Sequence, residues 1–169
     1  STAAVAPDEI DAILFGTLSP DYLFPGCAVL LQKKLGMKPL CALDVRNQCS
    51  GFSYMLSVAD AWIKTGVYKR VLVVGSEVHS SGLDYTDRGR DVTVIFGDGA
   101  GAVVLGPTDD PNRGIYSSHL YGDGNFAEQL WFPGGPSSRT PWVTKELLDE
   151  GVFYPKMNGK LVFRWAIER

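Results

Sequence analysis

The sequence predicts an α/β protein built around a sheet that is mainly parallel. In its first half, short apolar runs alternate with longer segments whose apolar residues recur every three to four positions. That alternation is typical of strands joined by helices in a right-handed parallel sheet. Residues 71–74, VLVV, contain no polar side chain, as expected for a strand covered on both faces. A chain of 169 residues, 45% of them hydrophobic, is long enough and apolar enough to bury a sizeable core.

The first half of the chain gives the clearest element boundaries. We predict strand, helix, strand, helix and strand over residues 11–17, 25–35, 40–45, 50–65 and 71–74. Both helices carry apolar residues at near-helical spacing, and each is followed by a glycine, Gly36 or Gly66, that can act as a C-terminal stop.

The second half predicts a different arrangement. Residues 92–96 (VTVIF) and 102–105 (AVVL) read as two strands joined by a glycine-rich turn, which favours an antiparallel pair and hence a mixed sheet. Residues 114–119 are a further strand candidate. Residues 125–151 are rich in Pro, Gly and polar side chains and read as long surface loops. The last eleven residues have a helical rhythm and no C-terminal cap, so we expect the chain to continue in a larger protein.

Charge and cysteine content exclude several classes of protein. The net charge is −3 and no block of Lys and Arg is present, so the sequence does not indicate a protein that binds nucleic acid or an anionic membrane surface. No apolar run approaches the ~20 residues of a membrane span, and the first residues lack the pattern of a signal peptide. Cys27, Cys41 and Cys49 have neither CxxC spacing nor an even count, which argues against disulfides and zinc. We therefore expect a cytoplasmic protein without a metal.

Cys49 lies in RNQCSGF, between a predicted strand and a predicted helix. A thiol at a helix N-terminus faces unsatisfied N–H groups and the positive end of the helix dipole, and both favour the thiolate. The small residues Ser50 and Gly51 leave room for a ligand, and the backbone N–H of Cys49 could donate to a developing oxyanion. The alternative is a buried structural cysteine, because free cysteines are among the most buried residues.

The remaining motifs are weak when taken singly. The glycine-rich FGDGAGA at residues 96–102 lies between two strands rather than between a strand and a helix, so it fails the context of a dinucleotide-binding loop. His79 and His119 are far apart in sequence and read as loop residues. The TDRGR stretch at residues 86–90 reads as a solvated turn, and we take Arg88 to have no acidic partner at helical spacing.

Several segments together resemble the β-ketoacyl-acyl-carrier-protein synthase III family of the thiolase superfamily. In chain order they are DVRNQCSGFSYMLSVADAWIKTG, VLVVGSEV, DYTDRG, FGDGAGAVVL, YSSHLYGDG and MNGKLVFRWAIE. The resemblance covers nearly the whole chain. It implies a layered αβαβα thiolase-like fold with a mixed sheet, of which residues 1–169 form one domain equivalent to the N-terminal half. It also implies that the family's first strand and helices, and its C-terminal half, lie outside this sequence.

The resemblance implies a condensing acyltransferase of fatty-acid or related polyketide-type biosynthesis. Cys49 matches the nucleophile that accepts an acyl group from acyl-CoA before decarboxylative condensation with malonyl-acyl carrier protein. Phe24 matches an aromatic residue that reaches across a homodimer to the partner's acyl pocket. The family's catalytic His and Asn, and the second oxyanion donor, match no residue of this chain, so we expect the segment alone to be inactive. Its uncapped final helix and the expected loss of a strand and of the facing half of the core lead us to expect that it is also unstable.

The same resemblance implies a binding set for the substrate. Arg88 and the adjoining Gly89 match the contact with the adenine end of coenzyme A, which acts as a substrate thioester and not as a bound cofactor. Phe96, Met157 and Phe163 match positions around the acyl pocket and the pantetheine tunnel. Two alternatives stay open: another thiolase-fold synthase, of the hydroxymethylglutaryl-CoA or type III polyketide kind, and a non-catalytic thiolase-fold partner subunit.

Overall fold

A computed structural model describes residues 3–168 of the chain. Six strands and five α-helices are assigned within those residues, with short 3-10 turns between them. In chain order they are β1 (Ala12–Gly16), α1 (Cys27–Lys34), β2 (Cys41–Val45), α2 (Gly51–Lys64), β3 (Val71–Glu77), α3 (Arg90–Thr93), β4 (Gly99–Leu105), β5 (Leu130–Trp131), α4 (Lys145–Asp149), β6 (Lys156–Met157) and α5 (Gly159–Glu168). The first five agree with the predicted strands and helices to within three residues at every boundary.

A four-stranded mixed sheet organises the first half of the chain. Its strand order is β2-β1-β3-β4, with β1 parallel to both of its neighbours and β4 antiparallel to β3. Gly16 stands opposite Val45 on one side and Gly75 on the other, so the three parallel strands end at the same edge. This edge is where parallel α/β sheets place ligands. The predicted mixed sheet with a parallel centre is confirmed.

The two longer helices of the first half cover opposite faces of this sheet. Helix α2 contributes Met55 and Ala59 to a cluster in which they pack with alternate residues of β1 and β3; its buried strand members are Ala12, Leu14, Val71 and Val73. Helix α1 packs on β1 and β2, and fully buried Ile13 points to that opposite face because successive strand residues alternate. Burial on both faces explains why residues 71–74 are continuously apolar.

The chain divides into two compact units. The first holds the residues up to Glu77 together with Gly99–Leu120, and therefore the whole four-stranded sheet. The second holds Val78–Asp98 and the residues from Tyr121 on, with helices α3, α4 and α5 and the antiparallel pair β5–β6. In the second unit the rings of Phe126 and Trp165 meet edge to face, 3.6 Å between centroids, and join α5 to the turn before β5.

Three predictions for the second half are wrong. Residues 92–96 form no strand: they begin inside helix α3 and continue into a turn. Strand β4 pairs with β3 instead and already begins at Gly99, so Gly99 and Gly101, two of the three glycines predicted to form a turn, lie within the strand. Residues 114–119 are irregular. The predicted loop region 125–151 also contains β5 and α4, and the predicted terminal helix is confirmed over Gly159–Glu168.

Local hydrogen bonds explain why the β-branched stretch at residues 92–96 is not a strand. The hydroxyl of Thr93 donates to the backbone carbonyl of Asp84, 2.7 Å away, and Val92 is buried. These contacts tie the stretch to the preceding turn in a helical conformation, so the tertiary context overrides strand propensity. Among residues 3–168, no helix combines the length and the apolar character required to cross a membrane.

Candidate active site

Cys49 lies at the carboxyl edge of the parallel strands, in a turn between β2 and α2. The chain leaves β2 at Val45, forms a 3-10 turn over Gln48–Ser50 and enters α2 at Gly51. The Asn47 side chain and the Ser50 hydroxyl hydrogen-bond each other across the turn, at 3.2 Å, and the same hydroxyl lies 3.3 Å from the carbonyl of Asn47. The strand–turn–helix position predicted for Cys49 is confirmed.

The backbone at this turn is unusual. Gln48 has a φ of 32°, in the left-handed region that non-glycine residues seldom occupy. Such conformations persist only where surrounding structure enforces them, and they cluster at functional sites. Cys49, the next residue, is exposed, which contradicts the alternative of a buried structural cysteine.

The other two cysteines have different environments. Cys27 is buried at the start of α1, and loss of solvation raises the pKa of its thiol. Cys41 is half-buried in β2 and packs against the core. Of the three thiols, Cys49 is therefore the most accessible to a solvent-borne electrophile.

Two carboxylates that the sequence analysis did not identify fix the segment between β1 and α1. Glu77, the last residue of β3, accepts hydrogen bonds from the backbone N–H groups of Leu18 and Ser19. Asp44 in β2 accepts from the first two N–H groups of α1, those of Cys27 at 2.6 Å and Ala28 at 2.8 Å. An acidic side chain at a helix N-terminus satisfies unpaired donors.

The segment held by these carboxylates carries Phe24, whose side chain is 85% exposed. A groove of about 760 Å³ in the same unit runs between α1 and the sheet. Its walls include Leu30 and Leu31 of α1 and Phe15 of β1, whereas neither Phe24 nor Cys49 lines it. Phe24 thus lies free of the groove, on the exposed side of its segment.

In the second unit, Arg88 belongs to a turn centred on Asp84. The buried Asp84 carboxylate accepts from the hydroxyl of Thr86 at 2.7 Å, from Nε of Arg88 at 2.5 Å and from the backbone N–H of Thr86 at 3.0 Å. Together these bonds lower the pKa of Asp84 to about 2, and the bond from the Thr86 hydroxyl contributes most to that shift. A side chain at Gly89 would overlap the backbone carbonyl of Asp84, so the turn requires glycine there.

The expectation that Arg88 lacks an acidic partner is wrong. Asp84 stands four residues before it and forms an ion pair with it. Nη1 of Arg88 also donates to the carbonyl of Asp149, 2.8 Å away, and the guanidinium carbon lies 5.6 Å from the ring centroid of Tyr154. The side chain stays about half exposed. A guanidinium has five N–H donors, so hydrogen-bonding capacity remains after these two bonds.

The remaining predicted site residues lie on different segments of the second unit. Phe96 is half-buried and its ring lies 4.9 Å from that of His79. Met157 pairs with Leu130 in the β5–β6 ladder and is half-buried. Phe163 is exposed on α5. No direct contact joins these three residues to Arg88 among the hydrogen bonds, ion pairs and ring contacts of the described residues.

Comparisons with a family model and with known proteins point to the same family. The family model for 3-oxoacyl-acyl-carrier-protein (ACP) synthase III, another name for the β-ketoacyl enzyme, matches residues 43–124. The β-ketoacyl-ACP synthase III of Ehrlichia canis is 42% identical over 167 residues, which cover 99% of this chain and 49% of that protein. The chain therefore spans about half the length of the curated relatives it matches.

Solved structures agree. The β-ketoacyl-ACP synthase III of Thermus thermophilus superposes with a TM-score of 0.80 at 35% identity, covering 95% of this chain and 47% of that one. The priming β-ketosynthase of the R1128 polyketide pathway gives a TM-score of 0.77 at 30% identity, covering 98% and 47%. These matches confirm the predicted thiolase-like mixed α/β fold. The chain therefore belongs to the β-ketoacyl-acyl-carrier-protein synthase III family.

Proposed function

We propose that this chain carries the acyl-accepting half of a condensing acyltransferase. The observation that carries the proposal is the exposed Cys49 at the carboxyl edge of the sheet, in a turn whose backbone is held in the left-handed region. Family membership supports the same reading, because the relatives are named as β-ketoacyl-ACP synthases III. The chain's retention of an accessible cysteine argues against a non-catalytic partner subunit, which has no need of a nucleophile.

The proposed loading step is nucleophilic catalysis through a thioester. The Cys49 thiolate attacks the carbonyl carbon of acyl-CoA, and the backbone N–H of Cys49 donates to the oxyanion that forms. The bond between that carbon and the CoA sulfur then breaks, and CoA leaves as a thiolate that takes up a proton. The Cys49 sulfur retains the acyl group.

The condensation that follows draws on groups outside residues 1–169 in this proposal. Malonyl-ACP loses CO2, and its carbanion attacks the carbonyl carbon of the Cys49 thioester. The Cys49 thiolate leaves as the new carbon–carbon bond forms. A His and an Asn stabilise the enolate generated by decarboxylation, and neither role is assigned to His79 or His119 of this chain.

The residues proposed to bind the substrate are those that the family resemblance implies. Arg88 and Gly89 contact the adenine end of CoA, while Phe96, Met157 and Phe163 border the acyl and pantetheine path. Phe24 reaches the acyl pocket of a second copy, which makes the enzyme a homodimer. Acyl-CoA and acyl carrier protein are substrates, and no permanently bound cofactor or metal takes part. The cytoplasm is the proposed location.

A priming role in polyketide synthesis is a second candidate, favoured by the 30% identity to the R1128 priming ketosynthase. The loading step is the same in both. The carrier protein that is accepted in the second step distinguishes them, and so does the acyl group that is preferred in the first. A hydroxymethylglutaryl-CoA or type III polyketide synthase would instead condense without acyl carrier protein.

The test is acyl loading of the full-length protein that contains this segment. The protein is incubated with acetyl-CoA, and intact mass and peptide mapping locate the acyl group. We expect one acyl group on the Cys49 peptide, none in Cys49→Ala, and wild-type loading in the control Cys41→Ala. Loading on Cys27 or Cys41, or none at all in the wild type, would overturn the proposal. Adding malonyl-ACP or malonyl-CoA then identifies the extender.

A further inference from the structure

The connection between β1 and α1, residues 17–26, forms a segment that we call the arm. It leaves the carboxyl edge of the sheet, the edge that also carries Cys49. Its tip presents three consecutive apolar side chains to solvent: Tyr22, Leu23 and Phe24 are 61%, 65% and 85% exposed. A flexible loop with such a tip would sample many positions, so its orientation requires anchors elsewhere in the fold.

The first end of the arm is anchored by Glu77. Its carboxylate accepts from the backbone N–H of Leu18 at 2.9 Å and of Ser19 at 3.2 Å. It also accepts from the hydroxyls of Ser19 at 2.7 Å and Thr17 at 3.2 Å. Three consecutive residues of the arm are therefore bound to one side chain at the end of β3. Hydrogen bonds to an ionised acceptor are stronger than neutral ones.

The second end of the arm is anchored by Asp44. Its two carboxylate oxygens accept from the N–H groups of Cys27 and Ala28, directly after the arm. The fit is close, because a Cβ placed on Gly26 would lie 2.5 Å from one of these oxygens. The direction in which the arm enters α1 is thus set by a side chain of β2.

The two anchors stand on opposite sides of the strand from which the arm starts. Strand β1 lies between β2, which holds Asp44, and β3, which holds Glu77. With both ends held by neighbouring strands, the conformational freedom left to the arm is confined to the residues near its tip. The two carboxylates thereby fix the backbone of Phe24 relative to the carboxyl edge of the sheet. Cys49 lies at the same edge.

We propose that Glu77 and Asp44 are positioning residues for Phe24, and through it set the acyl-chain length that the enzyme accepts. The inference rests on the proposed function, in which Phe24 borders the acyl pocket of a second copy. A pocket wall on an anchored arm stays in place when a longer acyl chain presses on it. A wall on a loosened arm yields and admits that chain.

The experiment measures loading of Cys49 in the full-length protein with acetyl-CoA and with octanoyl-CoA, and compares the ratio of the two rates. The variants are Glu77→Gln, Asp44→Asn and Phe24→Ala. Glu9→Gln is the matched control, because this carboxylate also accepts a backbone N–H, that of Ala6, and pairs with Arg70 without contacting the arm. The iodoacetamide reactivity of Cys49 and the melting temperature are recorded for each variant.

We expect Phe24→Ala and both anchor variants to shift the ratio toward octanoyl-CoA, by about tenfold, the discrimination of a change of one methylene in an apolar pocket. The Cys49 reactivity should match that of Glu9→Gln. If Glu77→Gln does not fold, Ser19→Ala replaces it, since this change removes one bond to Glu77 and keeps the carboxylate. A merely structural anchor would lower the melting temperature without moving the ratio.

The possible outcomes distinguish failure of the positioning role from failure of the proposed function. A shifted ratio in Phe24→Ala with a wild-type ratio in the anchor variants and Ser19→Ala overturns the positioning role and leaves the proposed function intact. An unchanged ratio in Phe24→Ala removes Phe24 from the pocket and the inference with it. A wild-type protein that is not acylated on Cys49 refutes the proposed function itself.

Discussion

Arg88 and Asp84 form an ion pair within one turn, with Nε of Arg88 donating to the carboxylate four residues earlier. The Thr86 hydroxyl and backbone N–H donate to the same carboxylate, which is buried. Asp84 is therefore the centre of the TDRG turn, and Arg88 is held by it before any ligand arrives. Holding a charged side chain in advance reduces the conformational entropy that binding must remove.

The acid stability of the fold should depend on Asp84. Its folded-state pKa of about 2 lies below the ordinary value of 3.8. Because the folded state favours the carboxylate, the stabilisation is complete above about pH 4 and is lost as the pH falls through about 2. Asp84→Asn should remove this dependence, so its unfolding free energy should change less between pH 4 and pH 2 than that of the wild type.

Denaturant unfolding at a series of pH values measures the effect. Asp87→Asn, a change in the same turn at an exposed carboxylate, is the control and should follow the wild type. If Asp84→Asn and the wild type lose stability in parallel over this range, the carboxylate of Asp84 is not the source of the dependence.

Arg88→Ala should weaken acyl-CoA binding and also destabilise the turn. In the proposed function Arg88 contacts CoA, and loss of that charge-assisted hydrogen bond should raise KM roughly 10- to 100-fold while sparing kcat. The same change leaves the buried Asp84 carboxylate without its cation, so the melting temperature should fall. The double variant Arg88→Ala/Asp84→Asn separates the effects, because it should recover stability and keep the high KM.

Steady-state kinetics with acyl-CoA, together with thermal unfolding, checks this expectation. Equal losses in kcat and kcat/KM would assign Arg88 to the chemical step. A wild-type KM in the double variant would show that Arg88 serves the turn alone and does not contact the substrate.

The accuracy of the sequence predictions varied with the kind of interaction that fixes each element. Residues 11–74 were predicted closely because their strands and helices are fixed by burial, and burial leaves a regular apolar spacing. Residues 92–96 were mistaken for a strand because β-branched side chains favour one. Strand propensity takes no account of a tertiary contact such as the hydrogen bond from Thr93 to the Asp84 carbonyl.

The site shows the same division. Cys49 was identified because a cysteine between a strand and a helix is a local pattern. Asp44 and Glu77 were missed, since each acts on a segment far along the chain, 16 to 60 residues away. Their roles follow from which strands are neighbours in the sheet. The pairing of Asp84 with Arg88 did carry a local signal, the four-residue spacing, which the sequence analysis overlooked.

Cys49 should be the first of the three cysteines to react with iodoacetamide near neutral pH. It is exposed, whereas burial protects Cys27 and raises the pKa of its thiol, and Cys41 is half-buried. Timed alkylation of the folded full-length protein, followed by peptide mapping, gives the order. Cys49→Ala should abolish acyl transfer, and Cys49→Ser should nearly do so, because a serine hydroxyl is far less ionised at this pH than a thiol. Earlier labelling of Cys27 or Cys41 would count against Cys49 as the nucleophile.

Gly26→Ala should destabilise the fold through Asp44. The added methyl carbon would lie 2.5 Å from one carboxylate oxygen and 2.8 Å from the other, and real Cβ atoms do not approach that closely. Relief requires Asp44 to move away from the N–H groups of Cys27 and Ala28, so overpacking and a lost helix cap act together. We expect a loss of roughly 1–3 kcal/mol in the free energy of unfolding, the range for overpacked sites. Gly101→Ala is the control, because no atom lies within 4 Å of its added carbon.

Denaturant unfolding of Gly26→Ala, Asp44→Ala and the double variant tests that mechanism. If the clash with Asp44 is the cause, Gly26→Ala should have little further effect once Asp44 is alanine, so the two losses should not add. Additive losses would place the effect of Gly26→Ala in the backbone of residue 26 and not in its contact with Asp44. A loss no larger than that of Gly101→Ala would show that the arm and α1 can shift to accept the methyl group, and that the Asp44 anchor is looser than its geometry implies.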